Sequence, residues 1–391
     1  MPRIRTYNAI AEAGLELLER QKYEVGPDVQ DPDAIIVRSA DLHDVALEPN
    51  LKTIARAGAG YNNIPVDRCT DTGIVVSNTP GANANSVKEL VIAGMLLSSR
   101  RILDAWAWVK GQGNADLVAA VEKQKKYYAG PEIAGKCLGV IGLGAIGAIV
   151  ANAGVSLGME VYGYDPFVSV DQAWRLSRSV QRAQSLEALI AGSDYVTIHV
   201  PLNDATRGLI NADLLSRAQP GTRVLNFARG GLVDETALRE ALTSGQVAAY
   251  VTDFPSQTLH GVEGVIEIPH LGASTPEAEA NSAVMAAQQI IAFLEHGTIR
   301  NAVNFPDCEL DRAVGDRVII ANRNVPNMVS QITSAIAQAG LNIEDMLNRH
   351  RGELAYNIID VDGKLSQVVA TSLRSIDGVV MVRRICREDT Q

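Results

Sequence analysis

Short apolar runs alternate with longer stretches of helical spacing along most of this chain. The first hundred residues contain four such runs: IRTYNAI, AIIVRSA, LKTIARAGAG and GIVVSN. This rhythm is typical of βα units that build a parallel sheet. It predicts an α/β domain at the start of the chain, and a long helix over residues 85–102 is expected to leave it.

A second series of apolar runs follows: KCLGVIGLGAIG, VYGYDP, DYVTIHVP, TRVLNFAR, AAYVTD and VIEIPH. Strand-like runs separated by helical segments predict a doubly wound parallel sheet. Residues 276–295 again have helical spacing, and this helix could carry the chain back to the first domain. The first domain is therefore expected to consist of two separate segments.

The last part of the chain has a different pattern. Residues 301–316 have the composition of a linker, and an apolar run, a helix-like segment and two further strand-like runs follow. This pattern predicts a small α+β domain. The expected domains are residues 1–98 with 284–306, residues 99–283, a linker over 307–316, and residues 317–391.

Composition excludes several classes of function. The formal net charge of −10 argues against a nucleic-acid-binding surface, which needs a basic face. No stretch of about 20 apolar residues occurs, so no membrane or export segment is expected. The four Cys and six His are dispersed, and this predicts neither a disulfide framework nor a metal site. We expect a cytoplasmic protein with reduced thiols.

One glycine-rich segment has the spacing of a dinucleotide-binding loop. Gly142-Leu143-Gly144-Ala145-Ile146-Gly147 follows the apolar run LGVI and precedes a helix-like stretch. Glycines in this context let backbone N–H groups approach a pyrophosphate at a helix N-terminus. Asp165 ends the next apolar run, where its carboxylate could accept hydrogen bonds from ribose hydroxyls. That carboxylate would repel a 2′-phosphate, so NAD is favoured over NADP.

Five segments in order now reveal a resemblance: GAGYNNIPVD, NTPGANANSVKELV, GLGAIG with YDP, NFARGGLVDE, and PHLGAST. Over residues 35–305 the chain resembles the D-2-hydroxyacid dehydrogenase family. The segment NRNVPNMVSQITSAIAQAGLNIEDM is similar to the ACT regulatory domain of members that oxidise 3-phosphoglycerate. The resemblance implies an α/β fold with two Rossmann-like doubly wound domains, one for substrate and one for NAD, and a small ferredoxin-like ACT domain over residues 317–391.

The resemblance also implies a reaction. It is hydride transfer from the alcohol carbon of D-3-phosphoglycerate to NAD, the first step of L-serine synthesis, with His270 as acid/base and Arg229 on the carboxylate. The family normally has a Glu that orients this His, and here the matching position is Gln257. A Gln can orient an imidazole but lacks the negative charge. We therefore expect an active enzyme whose base titrates lower than usual.

Further site residues follow from the resemblance alone. Arg38 is the candidate for the substrate phosphate. The matching substrate positions are Arg38, Ser39, Gly58, Ala59, Gly60, Asn62 and Asn83. The matching cofactor positions beyond the glycine loop and Asp165 are His199, Pro201, Thr206, Asn226, Ala228 and Asp253.

The tail suggests an effector and an assembly. Asn322, Asn324 and Asn342 match the region that binds L-serine, although Asn322 stands where a His is usual and Asn327 replaces a Gly. A homodimer or homotetramer is implied, with residues 101–126 as the candidate pairing segment. Three alternatives stay open: a dehydrogenase of another D-2-hydroxy acid, a non-catalytic NAD-sensing protein, and a tail that only joins subunits.

Overall fold

The computed structural model describes residues 1–113, 116–311 and 315–386. They form two compact units. We call residues 1–82 with 279–391 the split unit, and residues 83–278 the central unit. The predicted boundaries at 98/99 and 283/284 lie a few to sixteen residues further along the chain. Parts of the predicted linker (312–314), tail (387–391) and pairing segment (114–115) fall outside the described residues.

The split unit contains a parallel sheet built from the first segment of the chain. Its order is β2-β1-β3-β4-β5. The predicted apolar runs form β1, β3, β4 and β5, whereas the short edge strand β2 was not predicted. The strands are β1 (Arg3–Tyr7), β2 (Glu24–Gly26), β3 (Ala34–Val37), β4 (Thr53–Arg56) and β5 (Val75–Ser77).

The central unit contains a longer parallel sheet, with the order β12-β11-β10-β9-β6-β7-β8. The six predicted runs are all strands, and the short edge strand β8 adds to them. These two sheets confirm the predicted pair of Rossmann-like α/β layers. The strands are β6 (Cys137–Ile141), β7 (Glu160–Tyr164), β8 (Val180–Arg182), β9 (Tyr195–Ile198), β10 (Thr222–Asn226), β11 (Val247–Thr252) and β12 (Val265–Glu267).

Helices connect the strands of these sheets. The two long helices expected from sequence are α3 (Ala84–Arg100) and α11 (Pro276–His296). The others before the tail are α1 (Glu12–Leu15), α2 (Val66–Asp71), α4 (Ile102–Lys110), α5 (Leu117–Gln124), α6 (Ala145–Ser156), α7 (Val170–Ala173), α8 (Leu186–Ala191), α9 (Ala212–Arg217) and α10 (Glu235–Ser244), with a 3₁₀ turn at Lys125–Tyr128.

Helix α3 belongs to the central unit because of its packing. A Cβ on Gly94 would lie 3.1 Å from side-chain atoms of Leu225 and Phe227, so the absence of a side chain brings the helix close to β10. Val87, Val91 and other apolar residues of α3 share a core with strands of that sheet. The predicted boundary at residue 98 placed this helix with the first sheet.

The tail forms a four-stranded antiparallel sheet with two helices. Its order is β14-β15-β13-β16. Together with the chain order β-α-β-β-α-β this is a ferredoxin-like arrangement. Strand β14 and helix α13 were absent from the predicted runs. The elements are β13 (Asp316–Arg323), α12 (Met328–Gln338), β14 (Ile343–Arg351), β15 (Leu354–Val361), α13 (Gln367–Arg374) and β16 (Val379–Ile385).

The tail caps the C-terminal end of α11. Arg383 Nη2 donates to the carbonyls of Phe293 and Leu294, Arg317 Nη1 donates to His296 O (2.9 Å), and the Tyr356 hydroxyl donates to Gly297 O (2.8 Å). The last carbonyls of a helix have no partner within the helix. Tail side chains supply those partners here, and Phe305, Tyr356 and Ile358 are buried in one shared apolar cluster with Phe293.

Candidate active site

The predicted cofactor and catalytic residues follow the carboxyl ends of the central sheet. Ligands bind outside this edge in open α/β sheets. Because the strands are parallel and adjacent, the residues that follow them lie along a single edge. In spatial order from β12 to β7 they are His270, Asp253, Arg229, His199, Gly142 and Asp165.

The glycine loop forms a cradle without side chains. Gly142 has a φ of +87°, and a Cβ on Gly147 would lie 1.8 Å from Gly142 O. A Cβ on Gly144 would meet no atom within 4 Å, which leaves open space in front of α6. No side chain caps that helix, so the N–H groups of Ala145, Ile146 and Gly147 are not taken up by a cap. This geometry fits a pyrophosphate.

Asp165 ties the glycine loop to the end of β7. Its Oδ2 accepts from Leu143 N (2.8 Å), and its Oδ1 accepts from Phe167 N (2.8 Å). A carboxylate oxygen can accept more than one hydrogen bond. The carboxylate is therefore fixed in place and still has capacity to accept hydrogen bonds from ribose hydroxyls.

The loop after β9 contains the next three matching positions. His199 Nε2 lies 2.9 Å from Thr197 Oγ1, and burial lowers the pKa of His199 to about 3. Thr206 Oγ1 donates to Pro201 O (2.6 Å), which closes the loop on itself. His199 is thus neutral at physiological pH, which suits a residue that flanks a cofactor better than one that exchanges protons.

Asn226 shapes the turn that carries Arg229. Its Nδ2 donates to Arg229 O (2.9 Å), and its Oδ1 accepts from Ala228 N (3.2 Å). Arg229 Nη1 donates to Ala228 O (2.7 Å). Among the described residues no carboxylate forms an ion pair with Arg229. Its partly exposed guanidinium can therefore receive an external carboxylate.

Asp253 lies at the end of β11, next to the loop of His270. Asp253 is fully buried, its Oδ2 accepts from Gly272 N (3.2 Å), and its Oδ1 has no hydrogen-bond partner among the residues that the structure describes. Burial raises the pKa of Asp253, and the positive charge of His270 opposes this shift. A buried carboxylate oxygen without a partner has capacity to accept a hydrogen bond from a donor group on a ligand. The amide of a nicotinamide ring would supply one.

His270 is exposed, and its closest described ring contact is Phe254, with centroids 4.7 Å apart. Gln257 is also exposed, and within the described part of the chain no hydrogen bond joins it to His270. The loop between them is held by Glu267, whose Oε1 accepts from Ser256 N (3.2 Å). The side chain packed against the imidazole is therefore an aromatic ring that sequence reasoning missed.

The predicted substrate residues of the split unit follow β3 and β4. Arg38 and Ser39 come directly after β3, and the Gly58–Gly60 turn begins two residues after the end of β4. Gly58 N donates to Thr79 Oγ1 (2.6 Å), whereas no described hydrogen bond uses the N–H of Ala59 or Gly60. Those two groups can receive an anion. Asn62 is exposed on the same loop, and Asn83 lies in the central unit at the start of α3.

Arg56 is a second cation at this turn that sequence reasoning passed over. A Cβ on Gly58 would lie 1.7 Å from Arg56 Nη1, so the guanidinium covers the turn. Arg56 Nε donates to Arg38 O (2.9 Å). The position of Arg56 at the end of an apolar run, two residues before a glycine-rich turn, was the signal that could have identified it.

The three predicted effector asparagines do not come together. Asn322 is 1% exposed; its Oδ1 accepts from Asn357 Nδ2 (2.7 Å), and its Nδ2 donates to Arg323 O (2.6 Å). Asn324 follows β13, whereas Asn342 precedes β14, which runs in the same direction as β13. Asn324 and Asn342 therefore lie at opposite ends of the tail sheet.

The described residues contain no group of three or more His, Cys, Asp or Glu side chains arranged to hold a metal ion. None of the helices they form combines the length and apolar character needed to cross a bilayer.

Comparison with known proteins agrees with this geometry. The family model of the D-isomer specific 2-hydroxyacid dehydrogenase, NAD binding domain, matches residues 92–272. The D-3-phosphoglycerate dehydrogenase of Methanocaldococcus jannaschii is 32% identical over 93% of this chain and 69% of its own length. The enzyme of that name from Archaeoglobus fulgidus is 39% identical over 71% of this chain and 52% of its own length.

A solved structure gives the same result. The NAD+-bound 3-phosphoglycerate dehydrogenase of Entamoeba histolytica has a TM-score of 0.61 and 27% identity, and the match covers 78% of this chain and 98% of that one. The chain spans roughly half to two thirds of the length of the curated relatives it matches. The match to the family model of the NAD-binding domain and the similarity to the Methanocaldococcus jannaschii enzyme over most of both chains show the family. This chain belongs to the D-isomer-specific 2-hydroxyacid dehydrogenases.

Proposed function

We propose that this protein oxidises D-3-phosphoglycerate to 3-phosphohydroxypyruvate with NAD, the reaction that begins L-serine synthesis. The observation that carries the proposal is the succession of Arg229, Asp253 and His270 after three adjacent strands of one parallel sheet. Arg229 provides a cation for the substrate carboxylate, Asp253 a buried hydrogen-bond acceptor, and His270 a side chain that can take up a proton. The names of the relatives support the phosphorylated substrate.

The residues at the glycine loop would hold NAD. The N–H groups of Ala145, Ile146 and Gly147 would bind its pyrophosphate, Asp165 its adenosine ribose, and Asp253 Oδ1 its carboxamide. Bound there, NAD supplies the hydride acceptor. The Asp165 carboxylate would repel a 2′-phosphate, which favours NAD over NADP.

Arg229 and His270 would then act on the substrate. The guanidinium of Arg229 would bind the 2-hydroxy carboxylate through two parallel hydrogen bonds and orient the alcohol carbon. A ring nitrogen of His270 would take the proton of the hydroxyl group as the hydride leaves. The Phe254 ring limits rotation of the imidazole, a restraint that a Glu at position 257 would otherwise provide.

The test is NADH formation by purified protein with NAD and D-3-phosphoglycerate, compared with D-lactate and D-glycerate. We expect turnover with the phosphorylated acid and its loss in His270→Ala, with NAD binding retained. Arg229→Lys should keep the charge but lose the two-point geometry, so its KM should rise. Turnover with only an unphosphorylated acid would show that D-3-phosphoglycerate is not the substrate. NAD binding without any turnover would favour a sensor.

We further propose that L-serine binds the tail and that the protein pairs into a homodimer or homotetramer. Because Asn324 and Asn342 lie at opposite ends of one tail sheet, a site using both needs two copies side by side. Asn322 is committed to Asn357 and is not part of that site. Inhibition by millimolar serine that Asn342→Ala abolishes would support this. Activity indifferent to serine would leave the tail as a subunit connector.

The exposure of apolar side chains on α4 and α5 supports residues 101–126 as the segment through which subunits pair. Helices α4 and α5 bury none of their residues, and Ile102, Leu103, Trp106 and Val109 are each more than two-fifths exposed. An exposed apolar face of this kind is typical of a subunit contact. Trp106→Glu should lower the oligomeric state in light scattering, whereas an unchanged mass would place the contact elsewhere.

A further inference from the structure

Arg38, the proposed ligand of the substrate phosphate, is already paired with a carboxylate. Its Nη2 lies 2.5 Å from Oε1 of Glu279. Both side chains are 39% exposed, so the pair is open to solvent on one side. Arg38 follows β3 and Glu279 lies in the first turn of α11, 241 residues further along the chain. An anion that binds Arg38 therefore competes with a carboxylate that already contacts the guanidinium.

The pair is held from both sides. Arg56 Nε donates to the carbonyl of Arg38 (2.9 Å), which fixes the backbone at the end of β3. A carboxylate in the first turn of a helix is stabilised by the helix dipole, and this favours Glu279 in its observed position. Arg38 directly follows β3 and Glu279 lies within α11, so regular secondary structure positions both partners.

Helix α11 also supports the anion-binding turn of the split unit. Gln289 Nε2 donates to Asn78 O (2.9 Å), and Asn78 Nδ2 donates to Ala59 O (2.6 Å). The same helix thus fixes the turn that presents the N–H groups of Ala59 and Gly60 and provides the carboxylate opposite Arg38. The contact of Glu279 with Arg38 is part of this anion-binding arrangement.

We propose that Glu279 is a specificity-determining residue, an internal anion that occupies Arg38 until a phosphate group displaces it. The inference rests on the proposed function. A phosphate carries about 1.5 to 2 negative charges and three strong acceptor oxygens, whereas a carboxylate carries one charge. The group at the matching carbon, a hydroxyl in D-glycerate and a methyl hydrogen in D-lactate, carries no charge. Of the three acids, only the phosphorylated one therefore brings a second anionic group that can compete with Glu279 for Arg38.

The consequence is that the charge of Arg38 is balanced before any substrate binds. A singly charged anion such as acetate gains little by exchanging places with Glu279, because it replaces one carboxylate with another. Without Glu279, Arg38 would attract any small anion as well as the substrate phosphate. The carboxylate thus lowers affinity for the substrate and excludes competitors that are less charged.

The test compares Glu279→Gln with a matched control. The Arg300–Glu309 pair in the same unit is also solvent-exposed, with side chains 55% and 51% exposed, and has no role in the site. In Glu279→Gln we expect the KM for D-3-phosphoglycerate to fall about two- to fivefold, the range expected when a partly exposed competing charge is removed. Acetate should become a competitive inhibitor. Glu309→Gln should change neither quantity.

A second variant separates charge competition from a structural effect. Arg38→Met should weaken binding of the phosphorylated acid, and adding Glu279→Gln to it should restore nothing, because the cation under competition is gone. A KM for D-3-phosphoglycerate that stays the same or rises in Glu279→Gln would overturn the inference. So would an equal gain in affinity in the Arg38→Met background.

Calorimetric titration of the NAD-loaded protein with D-3-phosphoglycerate and with inorganic phosphate tests the site without turnover. If Glu279→Gln binds both ligands more tightly but the protein oxidises no acid, the inference holds and the proposed function is wrong. If the protein oxidises D-3-phosphoglycerate but Glu279→Gln and the unchanged protein bind it with the same affinity, the proposed function holds and the inference is wrong.

Discussion

Substitution of Asp360 by Asn should destabilise the split unit strongly. Asp360 accepts from Arg317 Nε (2.6 Å) and Nη2 (2.8 Å), and the two side chains are 1% and 0% exposed. Arg317 also donates to the carbonyls of His296, Leu310 and Asp311. The Asn side chain keeps the volume but removes the compensating negative charge. The buried guanidinium of Arg317 then faces a neutral amide, whose NH₂ group donates hydrogen bonds and cannot accept one from it.

The magnitude follows from that geometry. Removing one partner of a buried pair typically costs about 3–5 kcal/mol, a large fraction of the 5–15 kcal/mol that stabilises a domain. All three Trp, at positions 106, 108 and 174, lie in the central unit. Urea unfolding should therefore show an earlier transition by far-UV circular dichroism, while the tryptophan fluorescence transition moves little.

The control is again Glu309→Gln, which breaks an exposed pair and should cost less than about 1 kcal/mol. Equal destabilisation by the two variants would refute the reasoning, because it would mean that the Arg317–Asp360 pair is not desolvated in the folded protein.

Three further predictions concern the cofactor edge. Gly144→Ala should weaken NAD binding, measured by titration, without lowering the melting temperature measured by calorimetry. Gly147→Ala should weaken NAD binding and also lower the melting temperature, because its Cβ would lie 1.8 Å from Gly142 O. Gln257→Glu should move the acidic limb of the pH–rate profile to higher pH; an unchanged profile would show that this position does not act on the base. Because burial lowers the pKa of His199 to about 3, the unfolded chain binds a proton that the folded one does not, so stability should fall by about 1.4 kcal/mol per pH unit as pH drops from about 6 to 4. His199→Gln should flatten that slope in urea titrations at each pH.

Local patterns predicted the central sheet and the cofactor loop well. The glycine spacing, the apolar run before it and the acidic end of the next strand all lie within about thirty residues, and their chemistry does not depend on distant contacts. Strands β2 and β8 were missed because each is three residues long with little apolar character. Strand β14 was missed because most of its residues are exposed, so it lacks the alternation of a half-buried strand.

Contacts between distant segments could not be predicted. Helical spacing identified α3 but not the sheet it packs on, which depends on Gly94 meeting Leu225 and Phe227. The pairing of Arg38 with Glu279 joins residues that are 241 positions apart in the chain, and no local pattern indicates it. For the same reason Phe254, which contacts His270 only after the loop folds back, was not selected.

The cap on α11 has a consequence for the order in which the protein folds during synthesis. The first sheet leaves the ribosome early, but the helix that covers it comes after the whole central unit, and the cap of that helix comes from β13, β15 and β16. Domains generally fold as units while the chain emerges. Here the central unit can mature first, whereas the split unit must wait for the last strand. During that interval the nascent first sheet exposes its apolar face, and we expect it to depend on chaperones more than the central unit does.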